Sequence, residues 1–360
     1  MLLPIGEFYK GKRVLITGHT GFIGSWLTKW LDMMDADICG CSLDPPTEPN
    51  MYELLHLSEN IRDVRLDVRD YESLYSAVKD FAPEIVFHLA AQPLVLKSYE
   101  DPIATIETNV VGTANLLECV RKVGNTNVII VMTSDKVYQN EEWVYPYRET
   151  DPLGGRDPYS ASKSCADIIV NSYRESFFKD SGVGVSTIRA GNVIGGGDWA
   201  PHRIVPDIVA GILNNAPIQI RNPDSIRPWQ FVLEPLSGIF LLVEKMYSNQ
   251  AKYSGAWNFG PEQKKLVTVR DLTHRFVKYW GSGEYEFQNN NDCKEANYLQ
   301  LDISRAMTEL GWRPIYDFEN AIKNTVDWYK HWHEDKRSIS QLTEHQIHSY
   351  GDCMRNSDGR

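Results

Sequence analysis

Short apolar runs alternate with amphipathic stretches along the first two thirds of the chain. Helical spacing of apolar residues, as at Ile23, Leu27, Trp30 and Leu31, separates most of these runs. Strand-length runs rich in β-branched residues lie at 13–17, 36–43, 60–66, 84–89, 128–133, 183–190 and 256–259. Because strands and helices alternating in this way form βαβ units, the pattern predicts an α/β fold with a doubly wound parallel sheet.

The regular alternation breaks down after Gly191, where proline and glycine accumulate. A chain of 360 residues also exceeds the usual size of a single core. We therefore expect a large first part and a smaller, mixed α/β second part. The expected boundaries are 1–191 with 232–262 for the first part, 192–231 with 263–335 for the second, and 336–360 for a peripheral C-terminal segment.

A glycine-rich turn follows the first predicted strand and precedes a helix. Gly18, Gly21 and Gly24 gather backbone N–H groups at the helix start, where a dinucleotide pyrophosphate binds. Asp44 comes 20 residues after Gly24, the offset of a carboxylate that binds the adenosine ribose. Since no arginine adjoins Asp44 in the sequence, a 2′-phosphate would be repelled. The pattern therefore favours NAD over NADP.

Two further motifs carry candidate chemistry. Ser134 and Asp135 follow a buried parallel strand and should lie at its carboxyl end, where open α/β sheets bind ligands. Tyr159 and Lys163 are four residues apart, which places them on one face of a helix. A nearby ammonium group favours the phenolate, so Lys163 should lower the pKa of Tyr159. The pair could then remove a proton from a sugar hydroxyl.

Together these motifs resemble the short-chain dehydrogenases/reductases of the extended type, and the resemblance weakens only in the tail. It implies a Rossmann-type domain that binds NAD in the first part and a nucleotide-sugar-binding domain in the second. His19 is expected to be a passive residue on the rim of the cofactor site. The implied cofactor-binding residues are Gly18, His19, Gly21, Phe22, Ile23, Gly24, Asp44, Asp67, Val68, Leu89, Ala90, Ala91, Asn109, Tyr159 and Lys163.

Arginines in the second part suit the diphosphate of a nucleotide sugar, because a guanidinium forks onto phosphate oxygens. The resemblance assigns Arg227 to this diphosphate and Asn192 to the substrate, with Arg221 and Tyr298 as further substrate-binding candidates. The run 294–297 is a weaker candidate for the lining of the same site.

The reaction class depends on the residues beside Ser134. Epimerases, reductases and 4,6-dehydratases of this kind all oxidise carbon 4 of the sugar, but a dehydratase needs an extra acid and base near carbons 5 and 6. Asp135 is assigned as the acid for water loss, and Lys136 as the carbon 5 base or the residue that positions a water for this step. The implied catalytic residues are Ser134, Asp135, Lys136, Tyr159 and Lys163.

The presence of lysine rather than glutamate at position 136 is a feature in which this chain resembles the CDP-glucose 4,6-dehydratases. These enzymes convert CDP-D-glucose to CDP-4-dehydro-6-deoxy-D-glucose and water by internal hydride transfer through NAD, and the resemblance implies a role in deoxysugar, lipopolysaccharide and O-antigen biosynthesis. A nucleotide-sugar 4-epimerase, a dehydratase of another nucleotide sugar, and a catalytically silent NAD sensor stay open at this point.

Net charge and hydropathy limit the kinds of binding partner and the location expected for this protein. A formal net charge of -11 disfavours nucleic acid and anionic membranes as main partners. The apolar runs are too short to span a bilayer and no leader pattern opens the chain, so a cytoplasmic location is expected. No metal site is predicted. The helix with Ile106, Val110, Ala114, Leu117 and Val120 on one side resembles the helix that, together with the Tyr159 helix, packs against a second subunit. A homodimer is implied, with a tetramer left open, although an intramolecular core would give the same pattern.

Overall fold

The computed structural model describes residues 6–262, 267–288 and 298–358. Its centre is a seven-stranded parallel sheet with the strand order β10-β6-β5-β4-β1-β2-β3. The strands are β1 (Arg13–Thr17), β2 (Asp37–Ser42), β3 (Arg62–Arg65), β4 (Ile85–His88), β5 (Val128–Met132), β6 (Gly184–Arg189), β7 (Val193–Ile194), β8 (Ile218–Arg221), β9 (Gln230–Phe231), β10 (Gly255–Asn258) and β11 (Tyr285–Gln288). The predicted parallel sheet is confirmed, and each of its strands lies within one or two residues of a predicted run.

Helices cover both faces of this sheet. They are α1 (Gly6–Tyr9), α2 (Phe22–Asp32), α3 (Met51–Leu54), α4 (Tyr71–Phe81), α5 (Val95–Glu100), α6 (Pro102–Ile106), α7 (Gly112–Val123), α8 (Pro158–Tyr173), α9 (Ile204–Leu213), α10 (Leu233–Ser248), α11 (Gln250–Tyr253), α12 (Val269–Trp280), α13 (Phe318–Glu334) and α14 (Ile339–Asp358). Within the described ranges no helix is long and apolar enough to cross a membrane.

The strand order reverses at β1, which pairs with β2 on one side and with β4 on the other. Connections therefore leave the sheet in opposite directions at this point, and the loops after β1 and β4 diverge to open a crevice. Ligands of open α/β sheets bind in such a crevice at the carboxyl ends of the strands. The glycine-rich turn after β1 and the loop after β4 both lie there.

Two apolar layers hold the helices on the sheet. On one face Trp26 and Trp30 of α2 pack in the same cluster as Phe240 of α10. On the other face Leu117 of α7 and Val170 of α8 belong to a second cluster. These side chains are almost fully buried, so each contributes the roughly 1.5–3 kcal/mol expected for removing a large apolar side chain from water.

The smaller part combines short parallel strand pairs with helices. Val193 pairs with Gln230 between β7 and β9, and Ile218 pairs with Tyr285 between β8 and β11. Helix α9 packs beside β8. The expected mixed α/β character is confirmed, and the chain enters β7 through the short turn that follows the carboxyl end of β6.

The C-terminal segment differs from the expectation that 336–360 is peripheral. Helix α14 buries Ile339, Ile347 and Tyr350 completely. The Tyr350 hydroxyl donates a hydrogen bond to Glu234 Oε2 at 2.7 Å, inside the main core. Because burial disfavours a carboxylate, the pKa of Glu234 is raised to about 7. The final helix is therefore an integral layer of the fold.

The predicted stripe from Ile106 to Val120 is only partly correct. Helix α6 ends at Ile106, a π-helical turn follows at Glu107–Val111, and α7 begins at Gly112. Leu117 and Val120 are buried, but Ile106 is 43% exposed. The wide turn shifts the phase of the helix, so a single regular stripe does not continue through it.

Candidate active site

The turn after β1 requires its glycines because the backbone segments are nearly in contact. Gly18 has φ +79°, and a Cβ there would lie 2.6 Å from the backbone nitrogen of Ala90. A Cβ on Gly24 would lie 2.0 Å from the carbonyl oxygen of Gly18. Helix α2 begins directly after Gly21, so its first N–H groups point into the crevice. This cradle fits the pyrophosphate of a dinucleotide.

His19 lies inside the protein, which corrects the expectation of a residue on the rim. Its side chain is fully buried, and Nε2 lies 3.0 Å from Asp63 Oδ1. Its ring occupies the space above Gly40, where a Cβ would be 2.5 Å from the ring carbon Cγ. Burial outweighs the nearby carboxylate and lowers the pKa of His19 to about 4, so the ring is neutral at pH 7.

An arginine does lie beside Asp44, although none adjoins it in the sequence. Pairing of β2 with β3 sets Arg65 opposite Ser42. Arg65 Nε is 3.6 Å from Asp44 Oδ1, and its Nη2 donates to Asp63 Oδ2 at 2.8 Å. The Asp44 side chain itself is 90% exposed. The preference for NAD was argued from the absence of an arginine beside Asp44. That argument is wrong, because β3 supplies a guanidinium at this position.

Four further implied cofactor residues follow the ends of β3 and β4 in the chain: Asp67, Val68, Leu89 and Ala90. Val68 packs against Gly112, where a Cβ would lie 2.7 Å from Val68 Cγ2. Hydrogen bonds from Arg69 hold the pKa of Asp67 below its usual range. Leu89 and Ala90 continue β4 past its end, since the Leu89 N–H donates to the Thr17 carbonyl oxygen at 3.0 Å.

Asn109 lies in the π-helical turn and is engaged within the protein. Its Oδ1 accepts from the Gln92 N–H at 2.8 Å, and its Nδ2 donates to Ser162 Oγ at 2.8 Å. Ser162 Oγ in turn donates to the Tyr159 carbonyl oxygen at 2.7 Å. The side chain therefore ties the loop after Ala91 to α8 and positions Tyr159, a contact that the implied cofactor role did not include.

Helix α8 presents Tyr159 and Lys163 to the end of β5, as the spacing predicted. The helix begins with Pro158 after Asp157, whose carboxylate caps the Ser160 N–H at 2.9 Å. Lys163 Nζ donates to the carbonyl oxygen of Met132 at 3.1 Å. Burial disfavours its ammonium form and lowers the pKa of Lys163 to about 8.

The pKa of Tyr159 departs from the expected direction. Burial raises this pKa to about 12, while a hydrogen bond with Ser134 and the positive charge of Arg203 oppose the rise. The expectation that the pKa is lowered is therefore wrong for the protein alone, since desolvation outweighs the nearby cations. Additional positive charge at Tyr159 is needed before it can act as a base at neutral pH.

Asp135 is a buried carboxyl group held from two sides. Its Oδ1 accepts from Ser134 Oγ at 3.1 Å and its Oδ2 from Asn192 Nδ2 at 2.9 Å. The side chain is 2% exposed. Burial raises its pKa, whereas the charges of Lys136 and Arg227 and the hydrogen bond from Ser134 oppose the rise. A carboxyl group with a raised pKa can hold the proton that a general acid must give.

The turn after β6 gives Asp135 its space. A Cβ on Gly191 would lie 1.9 Å from the carboxyl carbon of Asp135, so only glycine fits. Asn192 has φ +51°, a left-handed conformation that asparagine tolerates better than most residues. Gln230 Nε2 fixes the turn by donating to the Gly191 carbonyl oxygen at 3.0 Å. Asn192 therefore contacts Asp135, in addition to its implied contact with substrate.

The implied diphosphate residues lie in the smaller part. Arg227 is largely buried, with Nη1 donating to the carbonyl oxygen of Ile226 at 2.9 Å. Arg221 ends β8; burial raises the pKa of the nearby Asp207, and the charge of Arg221 opposes this rise. The Tyr298 hydroxyl donates to the Val144 carbonyl oxygen at 3.4 Å. The weaker candidates at 294–297 lie outside the described residues.

Three residues of the site were missed by the sequence analysis: Gly191, Arg203 and Gln230. Arg203 is half-buried, donates from Nη1 to Asp198 Oδ2 at 2.9 Å, and acts electrostatically on Tyr159. Its only local signal was its position before the apolar helix α9. Gly191 and Gln230 had no signal, because their importance depends on the approach of Asp135 to the turn.

The fold and the Ser-Tyr-Lys set define an extended short-chain dehydrogenase/reductase. The chain belongs to the family described as GDP-mannose 4,6 dehydratase, whose model matches residues 15–325. A CDP-glucose 4,6-dehydratase from Salmonella typhimurium is 48% identical over 332 residues, which cover 91% of this chain and 92% of that protein. A dTDP-glucose 4,6-dehydratase from the same organism is 27% identical, over 88% of this chain and 92% of its own length.

Solved structures share the fold. A dTDP-glucose 4,6-dehydratase from Streptomyces venezuelae, solved with NAD bound, matches 92% of this chain and 99% of its own with TM-score 0.77 and 24% identity. A UDP-glucose 4-epimerase from Thermus thermophilus, in complex with NAD, matches 88% of this chain and 99% of its own with TM-score 0.75 and 24% identity. Enzymes of both reaction types therefore use this architecture, and the reaction must be argued from the site.

Proposed function

We propose that this protein is an NAD-dependent CDP-glucose 4,6-dehydratase, which converts CDP-D-glucose to CDP-4-dehydro-6-deoxy-D-glucose and water. The observation that carries the proposal is the buried carboxyl group of Asp135 beside Ser134 and Tyr159, with Lys136 next to it. Oxidation of carbon 4 needs only the serine, the tyrosine and a hydride acceptor. The additional acid and amine are groups that water loss requires. Identity of 48% to a CDP-glucose 4,6-dehydratase supports this choice of substrate.

The residues at the β1 turn fit NAD. Gly18, Gly21 and Gly24 leave room for the pyrophosphate against the start of α2. The Asp44 carboxylate, at the end of β2, would accept hydrogen bonds from the ribose hydroxyls. The chemistry that bound NAD supplies is acceptance of hydride from carbon 4 and its return to carbon 6.

The protein's own groups handle the protons. Tyr159 takes the proton of the carbon 4 hydroxyl while Ser134 holds that oxygen. The ketone at carbon 4 acidifies the hydrogen on carbon 5, which Lys136 or a water positioned by it removes. Asp135 protonates the hydroxyl that leaves carbon 6, and carbon 5 is reprotonated as hydride arrives at carbon 6.

The nucleotide end of the substrate would lie against the smaller part. Arg227 and Arg221 bind the diphosphate, Asn192 faces the substrate beside Asp135, and Tyr298 lines the same region. The proposed division of labour follows the expected boundaries, with 1–191 and 232–262 holding NAD and 192–231 and 263–335 holding the nucleotide sugar. The product is the 4-keto-6-deoxy sugar from which deoxysugars of lipopolysaccharide O-antigens would be made.

The first test offers the purified protein NAD with CDP-glucose, dTDP-glucose, UDP-glucose or GDP-mannose in separate reactions. Nuclear magnetic resonance then follows carbons 4 and 6 of the sugar. We expect a 4-keto, 6-methyl product from CDP-glucose alone. The same product from another sugar would overturn the substrate, and a carbon 4 epimer or no product would overturn the reaction.

We also propose that the protein forms a homodimer through α6, α8 and the π-helical turn. Both helices expose apolar side chains: Ile103 is 65%, Ile106 43% and Ile168 52% exposed. Helices α6 and α8 are in contact with each other, and a second copy would cover apolar side chains that both helices expose. Light scattering tests this: Ile168→Glu should give monomers, while Val144→Glu, an equally non-conservative change at a site 75% exposed, should not. Monomeric wild-type protein would refute the dimer.

A further inference from the structure

A line of three side chains connects the proposed base to the proposed acid. The Ser134 hydroxyl donates to Asp135 Oδ1 at 3.1 Å, and on its other side it interacts with the Tyr159 hydroxyl, an interaction that opposes the rise in the pKa of Tyr159 caused by burial. Tyr159 is 8%, Ser134 5% and Asp135 2% exposed. A proton on this line is therefore separated from bulk water, and the serine hydroxyl, which can both donate and accept, is the group between the two ends.

After one dehydratase turnover, the protonation states of Tyr159 and Asp135 are not those that the next turnover needs. The carbon 4 hydroxyl gives its proton to Tyr159, and the sugar keeps a ketone there, so that proton is not returned. The hydroxyl leaving carbon 6 takes one proton from Asp135 and departs as water. The proton removed from carbon 5 goes back to carbon 5. Each turnover therefore ends with protonated Tyr159 and ionised Asp135, the reverse of the starting state.

We propose that Ser134 resets the enzyme by relaying one proton from Tyr159 to Asp135 after each turnover. In this step Ser134 gives its hydroxyl proton to Asp135 Oδ1 and takes the phenol proton of Tyr159. One O–H bond breaks and one forms at the serine, the negative charge moves from the carboxylate to the phenolate, and no proton is exchanged with solvent. The inference rests on the proposed dehydratase function and adds a role to Ser134 beyond holding the carbon 4 oxygen.

The electrostatics of the pair suit a single shared proton. Burial raises the pKa of both Tyr159 and Asp135, and the negative charge of Asp135 raises the pKa of Tyr159 further. Two adjacent negative charges in a buried site are costly, so the pair holds one charge and one proton near neutral pH. Positive charge added beside Tyr159 favours its phenolate form. The shared proton then lies on the carboxyl group of Asp135.

Contacts on the side of Asp135 away from Ser134 keep its carboxyl group oriented for the relay. Oδ2 accepts from Asn192 Nδ2 at 2.9 Å, and an amide N–H₂ group can only donate. The Gly191 backbone lies close beside the carboxyl group, where a Cβ would be 1.9 Å from the carboxyl carbon. Oδ1 therefore stays aimed at Ser134, and the Lys136 N–H fixes the serine by donating to its Oγ at 3.1 Å.

Ser134→Ala and Ser134→Thr provide a matched pair, because alanine removes the hydroxyl and threonine keeps it. Rapid quenching measures product in the first turnover, and steady-state assays follow at increasing concentrations of imidazole buffer at constant ionic strength. We expect a burst of about one product per active site with Ser134→Ala, then later turnovers roughly 100-fold slower, accelerating with buffer concentration. Wild type and Ser134→Thr should show neither a burst nor buffer dependence.

The readouts separate the relay from a purely positioning serine. If the alanine variant slows the first and later turnovers equally, without buffer dependence, the relay is wrong, and so it is if this variant makes no product at any buffer concentration. A wild-type rate that rises with buffer would also overturn it, independently of any variant. Thermal unfolding and NAD binding, followed by tryptophan fluorescence, check that the variants fold and bind. If wild type makes no 4-keto-6-deoxy product, the proposed function itself has failed.

Discussion

Substitution of Gly191 by alanine tests whether the proposed acid, Asp135, depends on the space that this glycine leaves for its carboxyl group. The added methyl group would lie 1.9 Å from the Asp135 carboxyl carbon and 2.0 and 2.2 Å from its oxygens. Ordinary contacts between such atoms begin above 3 Å, so the carboxyl group must move by more than 1 Å. It cannot do so while keeping the hydrogen bonds from Ser134 and Asn192.

The cost should divide between stability and rate. Overpacking of a buried site costs about 1–3 kcal/mol of unfolding free energy. Loss of a positioned general acid should slow water loss roughly 10²- to 10⁴-fold. Oxidation of carbon 4 uses Ser134 and Tyr159, so it should persist in the Gly191→Ala protein.

A single-turnover assay tests this division. Absorbance of the reduced nicotinamide reports oxidation of carbon 4, and nuclear magnetic resonance reports the 6-methyl product. We expect reduced cofactor to accumulate in Gly191→Ala, whereas Gly154→Ala, whose Cβ would meet Gln139 at an ordinary 3.5 Å, should behave as wild type. Wild-type rates of water loss in Gly191→Ala would refute the account of the acid.

Three other predictions follow from the same geometry. Tyr159→Phe should abolish oxidation of carbon 4, whereas the Asp135→Asn protein should still reduce the cofactor but stall before water loss. Nicotinamide absorbance follows both variants, and full dehydratase activity in Asp135→Asn would refute the assignment of Asp135 as the acid. Asp44→Ser removes the carboxylate from Arg65 Nε, 3.6 Å away, and should tighten NADP binding roughly tenfold in fluorescence titrations, since a guanidinium binds a 2′-phosphate; an unchanged affinity would contradict it. Burial raises the pKa of Glu234 from 4.5 to about 7, so its protonated form stabilises the fold and this contribution is lost as pH rises through 7. Between pH 4.5 and 7, chemical denaturation should show wild type losing roughly 3 kcal/mol relative to Glu234→Gln, and parallel curves would be inconsistent with the raised pKa.

The sheet could be predicted from sequence because its signals are local. Each strand is a short apolar run, and the turn from Gly18 to Gly24 reflects backbone contacts within a few residues. The spacing of Tyr159 and Lys163 likewise fixes their common helix face. Properties set by neighbours that are distant in sequence were not accessible. Arg65 reaches Asp44 only through the register of β2 with β3.

Burial caused the remaining differences. The pKa of Tyr159 depends on how completely the site excludes water, which the residue spacing does not report. His19 is buried because Gly40, on the next strand, leaves space for its ring. In the polar tail a signal was present: Ile339, Thr343, Ile347 and Tyr350 recur at helical spacing and are all fully buried. The many polar residues between them hid this narrow stripe.

The burial of α14 has a consequence for synthesis of the chain. Tyr350 packs edge-on against Trp30 of α2 at 5.9 Å, and Thr343 accepts a hydrogen bond from Trp328 of α13 at 2.9 Å. The helix that makes these contacts comprises 20 residues ending at Asp358. Helix α2 precedes this segment by most of the chain, so α2 emerges from the ribosome long before α14 does. The flank of α2 therefore stays uncovered until α14 has emerged and can pack against Trp30.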